Sequence, residues 1–106
     1  MLAKEDLRIA KEFKDRLVLF FPVLDLRVYG SRARGDASPE SDLDVFIVVE
    51  KLTSEQRRRI SEVAWEVGFE MDRVISTFVA TRSQLKIGPL AANPILQKID
   101  NEGIPL

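Results

Sequence analysis

Ile9, Phe13, Leu17 and Phe20 recur at intervals of four, four and three residues, which marks one face of an α-helix. The spacing predicts a helix over residues 2–21, with Lys11/Asp15 and Glu12/Arg16 as i,i+4 pairs on its solvated side and Pro22 as its stop. Over residues 23–29 the period falls to two. Leu24, Leu26 and Val28 alternate with Asp25, Arg27 and Tyr29, the pattern of a half-buried strand. Gly35, Asp36, Ser38 and Pro39 break both periods over residues 32–41. Residues 43–49 are then nearly continuously apolar, as in a central strand covered on both faces.

Thr53 and Gln56 have the spacing of a capping box, and Ile60, Val63, Ala64 and Val67 follow at helical intervals, with Gly68 as the expected C-terminal stop. The run Arg57, Arg58, Arg59 falls on the first turns, where a solvated helix face is favoured over a nucleic-acid contact. Residues 73–80 read as another strand, Thr81 with Gln84 as a short capped turn, and Asn93 with Pro94 as the start of a last helix closed by Gly103. The expected order is helix, strand, loop, strand, helix, strand, helix. Such a chain is α/β: one domain over residues 1–106, with helices packed on a small mixed β-sheet in one layer pair.

Composition narrows the chemistry. Lys and Arg total 16 against 17 for Asp and Glu, a formal net charge of −1, which disfavours a nucleic-acid or anionic-membrane binder. With no Cys and no His there is no disulfide, no thiolate or imidazole zinc site and no Ser-His or Cys-His catalysis. Any metal is hard and held by oxygen. The N-terminus lacks the order of a signal peptide, and no apolar run approaches the roughly 20 residues of a membrane helix, so no membrane partner and a cytoplasmic location are expected.

One stretch carries candidate chemistry. Gly30 and Ser31 end the first strand, and Asp42 and Asp44 open the second. Residues two apart on a strand share a face, about 6–7 Å apart, so the two carboxylates converge on one cation or a pair of cations. Two like charges aimed at one place are costly without a cation. Gly30 allows a tight turn and close approach of a ligand, and Ser31 stands where a short helix should begin, with N–H groups suited to phosphate. A P-loop is excluded because Asp36 follows Gly35 where Lys is needed, and the dinucleotide-binding glycine pattern and the EF-hand ligand spacing are both absent.

Gly30 and Ser31, ten intervening residues, then Asp42 and Asp44 resemble the signature of the minimal nucleotidyltransferases of the DNA polymerase beta superfamily. The chain length, the helix before the first strand and the ending Asn93-Pro94-Ile95-Leu96, Ile99, Glu102-Gly103-Ile104 extend the resemblance over nearly the whole chain. It implies a polymerase-beta-like fold, with Gly30 and Ser31 holding a triphosphate and Asp42 and Asp44 holding one or two Mg²⁺ ions. It also implies attack of a hydroxyl on the α-phosphorus of a nucleoside triphosphate, ATP being the expected donor. Arg32 and Arg34 are candidates to add charge at the phosphates, with surface pairing to Asp36 or Glu40 as the other reading. Small members of the family commonly serve as antitoxins that adenylylate a tyrosine of a HEPN-domain toxin, and so short a chain suits a reaction whose acceptor lies on another molecule.

Full members carry a third carboxylate on the strand after the second helix, and two registers of that strand are open. One makes Asp72 the third acid; the other puts Ser76 or Thr77 there and leaves two acids. The second register favours a different class of function, a nucleotide- or partner-binding module with weak or no catalysis. A nucleic-acid-binding domain using Arg32, Arg34 and the 57–59 arginines is the least favoured reading.

Overall fold

The structure is a computed structural model that describes residues 2–106. Helices α1 (Lys4–Leu17), α2 (Ser31–Arg34), α3 (Ser54–Met71), α4 (Arg82–Lys86) and α5 (Pro94–Glu102) alternate with strands β1 (Asp25–Tyr29), β2 (Leu43–Val49), β3 (Ile75–Thr81) and β4 (Ile104–Pro105), and a single 3₁₀ turn, Pro89–Ala92, precedes α5. The four strands form one mixed sheet in the order β3-β2-β1-β4. β1 is antiparallel to β2 and β4, and β2 is parallel to β3.

β2 is covered on both faces, as its unbroken apolar sequence requires. On one face Leu43, Val45, Ile47 and Val49 join Leu26 and Val28 of β1 against Ile9, Phe13 and Leu17 of α1 and Ile60, Val63 and Val67 of α3. On the other, Phe46 and Val48 join Ala80 of β3 beneath Ile99 of α5. The single layer pair expected from the sequence therefore gains a second helical cover. That cover stops short of residue 44, so the first turn of this face of β2 is left open.

α1 ends at Leu17, not at residue 21. Leu19 N–H and Phe20 N–H bond back to the carbonyls of Arg16 and Leu17, three residues earlier, and this tightening turns Phe21 into the core and leaves Phe20 outside beneath the Arg59 guanidinium, 4.2 Å from its ring centre. Leu24 likewise precedes β1 and is exposed. Gly68 does not stop α3, which runs to Met71 and closes on Asp72 in a left-handed conformation, φ 54°. Gly68 is needed because the Arg73 carbonyl folds back onto it where a Cβ would stand. The capping boxes at Thr53 and Thr81 and the Asn93 cap form as predicted.

One charged side chain is buried outright. Asp6, on the first turn of α1, is 2% exposed, and its carboxylate accepts from Arg32 of α2 at 3.5 Å and from Arg73 at the α3–β3 junction. Arg32 also donates to the carbonyls of Ser41, at 2.9 Å, and Pro39, at 3.0 Å. The cluster thus ties helix, loop and sheet together. Removing one partner of such a buried group strands the others. Asp6→Ala is expected to lower the unfolding free energy by about 3 kcal/mol in urea titrations, whereas Glu70→Ala, which breaks the exposed Arg16 pair, costs about 0.5 kcal/mol.

Candidate active site

The open end of the sheet collects the C-terminus of β1 and the N-termini of β2 and β3. Gly30 leaves β1 at φ 77°, ψ −158°, a conformation that only glycine adopts readily, and α2 begins at once with Ser31. Gly30 is also packed directly on Asp44: a Cβ there would overlap the Asp44 carboxylate. The turn and the acid are therefore built against each other, and glycine is required twice over.

Asp44, the second residue of β2, lies on the face not covered by α1 and α3, and Asp42, immediately before the strand, is near enough for its charge to act on it. Asp42 is exposed and Asp44 half-buried. Burial, and next the charge of Asp42, raises the Asp44 carboxyl above the ordinary carboxylate range, with Arg34 and Lys98 partly offsetting the rise. Tyr29, paired with Asp44 across the β1–β2 ladder, has its phenol raised by burial and then by Asp44. Two converging carboxylates, one of them desolvated, are the oxygen-only donor set that suits a hard divalent cation.

In the β2–β3 register Ser76 stands beside Asp44, and its hydroxyl donates to Asp42 Oδ2 at 2.8 Å. Of the two registers left open by the sequence, the structure thus brings Ser76 to the pair. Asp72 is the C-cap of α3, where its left-handed conformation ends the helix before β3 begins. Among the described residues no group of three carboxylates converges on a metal position. Arg32 is committed to Asp6 and to the loop carbonyls, so it braces the loop that delivers Asp42. Arg34 pairs with Asp36 at 3.2 Å and with Glu102 at 3.1 Å.

Lys98 and Glu102 of α5, four residues apart and hence on one helix face, belong to no motif that marks them as site residues. Glu102 accepts from the Gly30 N–H at 3.3 Å and from Arg34, and Lys98 adds positive charge at Asp44. Their i,i+4 spacing was visible, but nothing local says that α5 folds back over the opposite face of the sheet.

The raised Asp44 carboxyl gives a pH-dependent test. A carboxyl raised by folding favours the protonated fold, so the charged form destabilises the metal-free protein as pH rises through that value. Asp44→Asn should raise the melting temperature in chelator at pH 7 by about 2–4 °C, with the difference closing below about pH 4. Mg²⁺ should stabilise the parent chain and leave the variant unchanged. Gly30→Ala should cost about 1–3 kcal/mol and remove the Mg²⁺ response in the same melting experiment.

A family model described as a nucleotidyltransferase domain matches residues 8–97. A protein of Methanocaldococcus jannaschii named as a protein adenylyltransferase is 36% identical over 78 residues, covering 71% of this chain and 79% of its own length. Among solved structures, a toxin–antitoxin crystallised with AMP-PNP superposes with a TM-score of 0.61 at 17% identity, over 97% of this chain and 72% of its own. A minimal nucleotidyltransferase superposes at 0.59 with 24% identity, over 96% and 94% of the two chains. With the family model matching residues 8–97 and the relative covering 71% of this chain, the chain belongs to the nucleotidyltransferase domain family.

Proposed function

We propose that this chain, acting as a single nucleotidyltransferase domain in the cytoplasm, transfers AMP from ATP to a hydroxyl of another protein, a tyrosine of a HEPN-type toxin that it neutralises as antitoxin. The observation that carries the reading is Asp44 packed directly against the Gly30 turn, with Asp42 beside it at the entry to β2. The similarity to a named protein adenylyltransferase supports a protein acceptor, and the toxin–antitoxin sharing the fold suggests the partner.

In this reading Asp42 and Asp44 hold Mg²⁺, which when bound supplies charge neutralisation for the triphosphate. Gly30 lets the backbone approach the phosphates, Ser31 offers its hydroxyl and N–H, and Arg34, at the exposed end of α2, exchanges Glu102 for phosphate oxygen. Ser76 fixes the Asp42 carboxylate by its hydrogen bond. The acceptor oxygen forms a bond to the α-phosphorus, the α–β bridging P–O bond breaks, pyrophosphate leaves with that electron pair, and the hydroxyl proton passes to solvent.

The hydroxyl of Ser76 beside the acids favours a second reading, a module that binds nucleotide and partner with weak or no transfer. Incubation with α-labelled ATP, Mg²⁺ and a HEPN protein encoded beside this chain separates the two. Label on the partner, reduced about 100-fold or more by Asp42→Asn with Asp44→Asn, supports transfer. Label that survives in the double variant sinks the site assignment. Mg²⁺-dependent ATP binding without any label selects the module.

A further inference from the structure

On one side the sheet ends at β3, seven residues long and hydrogen-bonded to β2 alone. A strand edge of that length presents unpaired backbone N–H and C=O groups to any segment that can lie beside it. Next to this edge, on the α3 side, Trp65 and Phe69 stack one turn apart, ring centres 5.3 Å and planes 14° from parallel. They are 67% and 75% exposed, and Val74 at the entry to β3 is 64% exposed. With Thr77 they line a groove of about 770 Å³. Single apolar residues at a surface need no explanation, but a contiguous patch with two aromatic rings beside an open strand edge does.

The charge on the groove says what fits it. Glu40 and Asp72 line it, and neither makes an ion pair among the described residues, while the cation that lines it, Arg73, is committed to buried Asp6. The groove is therefore acidic around an apolar wall. A segment with lysines or arginines interspersed among apolar residues has the matching pattern.

We propose that this groove docks an extended, basic polypeptide segment as a strand added to β3. Trp65 and Phe69 take its apolar side chains, and Glu40 and Asp72 take its cations. Thr77 lines the groove while Ser76, the next residue along β3, bonds Asp42 from the other face of the sheet, so the docked segment lies on the α3 side of the edge and the two carboxylates on the other.

Trp65 is the chain's one tryptophan, so its emission reports on the groove directly. The probe is a synthetic peptide of about ten residues, alternating Lys with Val around one Tyr, titrated into the full chain without nucleotide or Mg²⁺. Two control peptides carry Glu for Lys, or Pro at alternate positions. The basic peptide should shift Trp65 emission to the blue and bind at least about tenfold tighter than either control. Phe69→Ala, and Glu40→Lys with Asp72→Asn, should each weaken it about tenfold or more, whereas Asp42→Asn with Asp44→Asn should not.

Equal affinity for acidic and basic peptides, indifference to proline, or no emission change overturns the proposal. So does a concentration-dependent dimer abolished by Phe69→Ala, which would give the face to a second copy.

Discussion

The buried carboxylate of Asp6 is the point on which the site's geometry depends. It sits at the start of α1, yet its partners come from the short helix after the Gly30 turn and from the junction between α3 and β3. Burying such a cluster costs desolvation that its attraction does not fully recover, so its value lies in position more than in net stability. Arg32 converts that fixed point into a grip on the aperiodic loop through the carbonyls of Pro39 and Ser41. The loop has no ladder or helix to define it, and this grip joins the Ser38–Ser41 turn and the Ser76 bond in setting where Asp42 emerges. Arg73 does the same for the start of β3, and hence for Ser76. Two of the groups that meet at the site are thus placed by a residue that touches neither.

The second constraint is the incomplete cover of one sheet face. Asp44, Phe46 and Val48 follow one another along that face of β2, and α5 covers the latter two and leaves the first half-open. A carboxylate in that position is desolvated enough to be raised and open enough to meet a ligand. Pressing Gly30 onto it ties the turn and the acid into one unit. α5 then returns one basic and one acidic group to the same end of the sheet, Lys98 opposing the charge of Asp44 and Glu102 pairing with Arg34.

Much of this architecture was legible because it rests on local rules. The period-two and continuous apolar runs located β1 and β2, the two capping boxes located the starts of α3 and α4, and Asn93 with Pro94 located α5. Local rules failed where a distant group intervened. Phe20 continues the helical period of α1, but the chain tightens after Leu17 and it is Phe21 that finds the core. Gly68 looks like a helix stop, yet it is there to admit the carbonyl of Arg73. β4 has only two residues, one of them proline, and is a strand solely because β1 has a free edge beside it.

The sequence alone determined the chemistry available to this protein: without Cys or His, and with Asp42 and Asp44 two residues apart after a Gly-Ser turn, the site is one of carboxylate oxygens beside a phosphate-sized turn. Spacing within one strand is a local property, and so it could be read directly. Only the tertiary structure decided which residue on β3 joins that pair, because the register between β2 and β3 is set by packing under α3 and by the left-handed Asp72 that separates helix from strand. The same packing turned Arg32 from a candidate phosphate ligand into a brace and brought Lys98 and Glu102 to the site from the far end of the chain. Contacts between residues some seventy positions apart, such as Gly30 with Glu102, leave no periodicity in the sequence, since what joins them is the sheet and the helix that closes over it.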